Sequence, residues 1–331
     1  MIVTNSIQML KKLQYPTGLF AAASAKKTGY DKAWIRDNIY ASLGFEAIND
    51  IQTLTKTYRA LLDLMKQHEY KIDWMVKQPE PKEKHRYIHA RYNPLTGEEL
   101  KEEWGNKQND AIGALLFKIG ELTGKKIKIL RSEHDKIIVQ KLVDYLEAIE
   151  YWNDKDNGMW EEQEELHASS IGACIAGLKA VKNIVEVKDE LIKNGERALN
   201  KLLPRESETK EADLALLSLI YPYDVVTDSQ RNKILYNVHT KLEKNKGVIR
   251  YKDDKYYNNG RGEAEWTMGI AWLAVIYKNL NEKKYREYIL KSKRLMNEKG
   301  ELPELYFAHE GKHNENSPLG WAQSLYVVAA A

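Results

Sequence analysis

Six short stretches of this sequence set carboxylate, amide or arginine groups beside tryptophan or tyrosine, wholly or in part. They are Tyr30-Asp31-Lys32-Ala33-Trp34-Ile35-Arg36-Asp37-Asn38, Trp104-Gly105-Asn106-Lys107-Gln108-Asn109-Asp110, Asn157-Gly158-Met159-Trp160-Glu161-Glu162, the weaker Glu211-Ala212-Asp213, Arg250-Tyr251 with Tyr256-Tyr257-Asn258-Asn259-Gly260, and Leu302-Pro303-Glu304-Leu305-Tyr306. Polar groups and aromatic rings together suit a ligand with hydroxyls on its rim and apolar faces, which describes a sugar. Taken singly, each stretch has a plainer meaning. Asp37 or Asp110 at a helix start serves as an N-cap, and Trp34 and Trp104 fill cores as readily as they stack on ligands. Glu161 and Glu162 belong to an acidic run with Glu164 and Glu165 that suits solvated surface. Pro303-Glu304 suits a turn. The stretches make a site only if the fold gathers them.

The elements that must do so are helices. Apolar periodicity and Gly, Pro, Asn or Asp punctuation divide the chain into about twelve helical segments: roughly 3–13, 34–48, 50–69, 109–123, 131–152, 167–184, 187–203, 211–220, 229–244, 263–280, 282–297 and 318–331. No alternating run is long enough for a sheet, and 70–108 reads as a long non-helical connection. Charge is spread unevenly among the segments. Residues 131–150 carry eight charges, 187–202 seven and 281–297 eight, whereas 168–183 carries two lysines, 264–280 one Glu and one Lys, and 318–331 none. A helix with one charged face lies at a surface, and one without charges is buried all round. Exposed and buried helices therefore alternate, the pattern of six hairpins closing into a double ring, an all-α (α/α)6 barrel spanning 1–331 as a single domain. An open helical solenoid would need a repeated unit and polar caps, and no fixed period is present. Each polar stretch precedes an inner helix, so all six open at one end of the ring.

Composition narrows the function classes. A net charge of +3 is too small to point to nucleic acid or an anionic membrane. The single cysteine, Cys174, forms no intrachain disulfide and sits in an apolar segment as an inert thiol. No secretory leader or bilayer-length apolar run appears, so a cytoplasmic protein is expected. The 8 Trp and 20 Tyr against 4 Phe favour rings with a polar tip, suited to a wet cleft. No zinc-type spacing, phosphate loop or dinucleotide fingerprint is found; no metal or cofactor is expected.

In order and spacing the stretches resemble glycoside hydrolase family 15, the glucoamylases, together with the glucoamylase-like domain of phosphorylase kinase α and β subunits. TGYDKAWIRDNIY (28–40), EEWGNKQNDAIGALL (102–116), GMWEEQEELHASSIG (158–172), EAEW (263–266) and LPELYF…GWAQSLYVV (302–328) are similar to the kinase-subunit branch, and RYKDDKYYNNG (250–260) to the glucoamylases. The resemblance implies an inverting α-glucosidase acting on small α-linked oligosaccharides or glucans, or a glucan-binding regulatory relative. It implies Glu161 as general acid and Glu304 as general base. It gives Arg36 and Asp37 to the hydroxyls of the terminal glucose, Trp104 and Asp110 to the second wall, and Glu162 and Arg250 to further hydroxyls. Trp34, Trp160, Tyr306 and Trp321, aromatic members of the matching stretches, are expected at the substrate. The acid must hold its proton near neutral pH, which contact with Trp160 and the charge of Glu162 would favour, and the base must stay ionised, which calls for a more solvated setting.

Overall fold

A computed structural model describes residues 2–331. Helices on the outside follow one-face apolar spacing and carry local caps. Helix α1 (Ile2–Leu13) buries Ile7, Leu10 and Leu13. Helix α3 (Ile51–Gln67) buries Leu54, Tyr58, Leu61, Leu62 and Met65, and the Asp50 carboxylate accepts the Thr53 N–H at its start. After a short α4 (Glu69–Lys77) come α6 (Glu133–Ala148), capped by Ser132, α8 (Asp189–Leu202), α9 (Asp228–Asn237), opened by a Thr227/Gln230 capping box, and α11 (Lys284–Arg294).

The inner elements are α2 (Ile35–Ala47), α5 (Asn109–Gly124), α7 (Ala168–Val181), a 3₁₀ segment (Leu214–Leu219), α10 (Thr267–Asn279) and α12 (Gly320–Ala330). They are buried around most of their circumference, as their scarcity of charge requires. Contacts run from α2 to α5, α7, the 3₁₀ segment, α10 and α12, and α12 returns to α2, so the ring is closed. Outside it, α1 lies on α12, α3 on α2, α8 on α7, α9 on the 3₁₀ segment and α11 on α10, while α6 touches both α5 and α7. This is the (α/α)6 barrel expected from the charge pattern. Backbones approach most closely between α5 and α7. A Cβ on Gly113 would fall 2.4 Å from the Ala173 carbonyl carbon, and one on Gly177 would fall 2.4 Å from the Gly113 oxygen.

Two expectations need correction. The connection at 70–108 is not wholly irregular, because α4 occupies its start. Ile72 and Met75, three apart, are buried, and α4 packs on α6. The segment expected at 211–220 is a 3₁₀ turn, capped by the Asp213 carboxylate on the Ala215 N–H. Pro222 follows within three residues and disfavours continuation in the α region.

Two short antiparallel ladders tie the loops at the mouth of the ring. Strand β1 (Ala33–Trp34) pairs with β2 (Arg91–Tyr92), setting Trp34 opposite Arg91. Strand β3 (Glu265–Trp266) pairs with β4 (Leu305–Tyr306), setting Trp266 opposite Leu305. The first ladder leads into α2 and the second into α10. No helix among the described residues is long and apolar enough to cross a membrane.

Candidate active site

Five of the six polar stretches converge; the weaker Glu211-Ala212-Asp213 does not reach the cavity, and its Asp213 stands behind the wall, bonded to the Trp160 indole N–H. A cavity at the mouth is lined by Trp34, Arg36, Asp37, Trp104, Trp160, Glu161, Arg250, Glu304 and Trp321, joined by Tyr30, Tyr256 and Trp266.

Glu304 directly precedes β4 and is 1% exposed. Its Oε1 accepts from the Tyr30 hydroxyl at 2.8 Å, and its Oε2 from the side-chain amides of Asn314 at 2.5 Å and Asn316 at 2.8 Å. The backbone fixes it as well: its N–H donates to the Asn316 carbonyl at 2.9 Å, and its own carbonyl accepts from the Thr267 N–H at 3.1 Å. The solvated setting expected for this residue is not found. Burial raises its pKa above the ordinary glutamate value, opposed by the donors Asn316, Tyr30 and Asn314 and by the positive charge of Arg250.

Glu161 sits opposite in character. Its backbone is in the left-handed region, φ +64°, a conformation that costs a non-glycine residue of order 1–3 kcal/mol and clusters at functional sites. Gly105 makes room for it, since a Cβ there would lie 2.5 Å from the Glu161 carbonyl oxygen. The carboxylate accepts from Arg36 Nη2 at 3.2 Å, from Gln108 Nε2 at 2.9 Å and from the Trp104 indole N–H. Glu162 does not press its charge on this carboxyl. It is committed to Arg250 at 3.0 Å, the Tyr251 hydroxyl at 2.7 Å and Lys210 at 2.7 Å. The Glu162 charge expected to act on Glu161 is thus taken up by Arg250 and Lys210, while three hydrogen-bond donors hold the Glu161 carboxyl.

Arg36 is held from behind. Nη1 donates to both Asp110 oxygens at 3.2 and 3.0 Å and to Gln108 Oε1 at 2.8 Å. Burial alone would lower its pKa, but Asp110, Glu161 and Asp37 outweigh it. Asp37 lies next to it on the cavity wall. Burial pushes Asp37 up to about 7; Arg36 opposes this, while Glu161, Glu304 and Asp110 add to it. Both Glu161 and Glu304 therefore act electrostatically on one side chain. Neither Asp37 nor Asp110 is an N-cap. They are the third and second residues of α2 and α5, whose starts carry no side-chain cap.

Arg250 is clamped by Asp254, with contacts of 2.7 and 2.6 Å, and its guanidinium carbon lies 4.8 to 5.4 Å from the ring centres of Tyr256, Trp266 and Trp160. Trp104 is 39% exposed, with Arg91 4.4 Å over its ring. Trp34 stands beside Tyr30, and Trp321 stacks on Tyr40 at 3.9 Å.

Three expected contacts do not reach the cavity. Asp110 is one layer back, against Arg36, and Glu162 is one layer back, against Arg250. Tyr306 faces elsewhere: its hydroxyl donates to the Leu295 carbonyl at 2.9 Å, and its ring packs under Lys246 and beside His313. Conversely, Tyr30, Gln108, Asn314, Asn316, Tyr256 and Trp266 join the site without being expected there from the sequence. Tyr30, Gln108 and Tyr256 stand inside the quoted stretches, and Trp266 closes the EAEW motif. Asn314 and Asn316 had no signal beyond their place before α12.

A closed ring of six helical hairpins, with carboxyls, an arginine and an aromatic wall at one mouth, places the chain in the class of (α/α)6 barrels. The family model for glycosyl hydrolases family 15 matches residues 1–331, and this chain belongs to that family. It is 26% identical to the phosphorylase b kinase regulatory subunit alpha, skeletal muscle isoform, of Oryctolagus cuniculus, over 95% of this chain. The chain spans about a third of that relative's length, 31%. A glycosidase variant solved in complex with glucose superposes with a TM-score of 0.84 at 20% identity, covering 99% of this chain and 95% of that one. A bacterial glucoamylase complexed with acarbose gives 0.75 at 16% identity, covering 99% and 55%. At these identities the structural likeness speaks for the fold.

Proposed function

We propose that this protein is an inverting, exo-acting α-glucosidase that removes terminal glucose from small α-linked oligosaccharides in the cytoplasm, needing no cofactor. The observation that carries the reading is that Glu161 and Glu304, far apart in sequence, line one cavity with Arg36 and Asp37 between the same walls.

In the proposed reaction, Arg36 donates to hydroxyls of the terminal glucose and Asp37 accepts from them, while Trp34, Trp160 and Trp321 cover the apolar ring faces. Glu161 gives a proton to the glycosidic oxygen as the bond to the anomeric carbon breaks. On the opposite face Glu304 takes a proton from a water whose oxygen bonds to that carbon, so configuration inverts and β-glucose leaves. Such a pair works with carboxyls about 6.5–9.5 Å apart, the gap admitting the water. Proton exchange with solvent then resets both groups. Glu161 is engaged by Arg36, Gln108 and Trp104, so productive binding has to turn some of these donors toward the sugar and leave the carboxyl to the glycosidic oxygen. Asn314, Asn316 and Tyr30 would hold Glu304 aimed throughout.

The test is glucose release from α-1,4, α-1,6 and α,α-1,1 disaccharides. Release that vanishes in Glu161→Gln supports the acid assignment; undiminished release in that variant refutes it. A second reading, a glucan-binding regulatory module without turnover, is favoured by the name of the curated relative, a regulatory subunit. Calorimetric binding of the same sugars without release of glucose would select it.

A further inference from the structure

Behind the cavity wall, on the side away from the sugar site, lies a set of buried ionisable groups that the proposed reaction does not use. The loop carrying Glu161 is closed by backbone pairing of Asp156 with Glu165. On its inner side Asp156 accepts from His167 Nδ1 at 2.9 Å, the Ser170 hydroxyl at 2.8 Å and the Asn109 N–H at 2.9 Å. Gly158 lies flat on the His167 ring, where a Cβ would be 2.8 Å from ring atoms. The one side-chain bond from Trp160 leads inward as well, from the indole N–H to Asp213 Oδ1 at 2.8 Å.

Asp213 is 0% exposed, and the same Oδ1 takes the Ala215 N–H at 2.7 Å, while its Oδ2 is buried with no partner. A second buried carboxyl, Glu206, interacts with it electrostatically and is held by the Ser169 hydroxyl and N–H at 2.5 and 3.1 Å. The remaining charges around the pair are already committed. His167 is paired with Asp156, Lys210 with Glu162, Arg250 with Asp254 and Glu162, and Glu165 accepts from Ser207 and Thr209. An unmatched buried acceptor beside a second buried acid is costly, yet it sits under the residue that precedes Glu161.

We propose that Asp213, backed by Glu206, is a positioning residue that fixes Trp160 and through it the left-handed backbone that aims Glu161. The proposal rests on the reading of Glu161 as the proton donor. Burial raises Asp213 above its ordinary value, and burial with the charge of Asp213 pushes Glu206 up to about 8, against His167 and Ser169. On this proposal Trp160 is held while the two acids keep a proton between them; losing it as pH rises leaves two buried carboxylates with His167, paired to Asp156, as their nearby cation, and the Trp160 indole shifts with Asp213.

The experiment uses the whole chain with ¹⁵N-labelled tryptophan. The Trp160 indole signal is identified by its loss in Trp160→Phe and followed as pH is raised through about 8. In the wild type it should move with a midpoint near that value, and kcat should fall over the same range with KM little changed. In Glu206→Gln the signal should no longer move over this range. Asp213→Asn should lower kcat roughly tenfold, with sugar affinity within about twofold, the mark of misplacement rather than lost binding. If Asp213→Asn does not fold, the Glu206→Gln spectra decide alone. A Trp160 signal that ignores pH in the wild type, or that still titrates in Glu206→Gln, overturns the proposal. If the wild type hydrolyses no sugar, the catalytic reading fails, and the indole titration still decides whether the pair positions Trp160.

Discussion

The two walls of the cavity hold their carboxyls by different means. Glu304 is sealed, with two asparagine amides and a tyrosine hydroxyl fixed on it and its backbone tied to Asn316 and Thr267. Glu161 rests on a left-handed turn, and its partners Arg36, Gln108 and Trp104 come from two other segments of the ring. A group that must orient one water through every cycle gains from fixed donors. A proton donor must lose its partners when the glycosidic oxygen arrives, and Trp104, the most exposed of the three, is the partner with most freedom to turn. The difference between the walls is thus one of rigidity. That difference fits the proposed reaction, with Glu304 on the water-activating side and Glu161 on the mobile, substrate-responsive side.

Replacing either carboxyl should have the largest effect on turnover. Glu161→Gln and Glu304→Gln should each lower kcat by about 10²–10⁴-fold, the usual worth of general acid or base catalysis, measured as glucose release at saturating maltose. An activated-leaving-group substrate should restore turnover in Glu161→Gln alone, because only the acid becomes dispensable. Next in size, Arg36→Lys keeps the charge but loses the fork between Asp110 and the cavity. It should raise KM roughly tenfold or more and destabilise the fold by a few kcal/mol, about the cost of disrupting a buried pair, read from denaturant unfolding.

A smaller effect sharpens the comparison through pH. In the proposed reaction Glu304 acts only as a carboxylate, and burial raises its pKa above the ordinary 4.5. The fall of kcat/KM on acidification should therefore set in above that value, activity being present above the shifted pKa and lost below it. Tyr30→Phe removes one donor to the carboxylate and should move this limb to still higher pH, leaving the alkaline limb in place. Smallest of all, Tyr306→Phe should leave kcat and KM unchanged and cost about 1 kcal/mol of stability through the lost bond to Leu295, because this ring points away from the sugar site.

The ring was legible in the sequence because burial on all sides leaves a compositional trace: the charge-poor α7, α10 and α12 alternate with the charge-rich α6, α8 and α11. Helix α4 escaped notice because nine residues hold only two buried apolar positions of clear period, Ile72 and Met75. The site was legible to the level of its stretches, since Trp34, Arg36, Asp37, Trp104, Trp160, Glu161, Arg250, Glu304 and Trp321 do meet. Facing is a tertiary property. Nothing in the local sequence separates Glu161 from Glu162, yet one turns to Arg36 and the other to Arg250 and Lys210. Likewise the burial of Glu304 is set by Asn314 and Asn316, which fold back from the far side of β4. The Asp213–Glu206 pair leaves no such trace for the same reason: its partners Trp160 and Ser169 come together only through packing.

The proposed inversion across one cavity is read in the anomer of the first-formed sugar. Proton NMR of maltose mixed with the wild-type protein, recorded before mutarotation, should show β-glucose accumulating first. α-Glucose appearing first, or maltose bound and left intact, would contradict it.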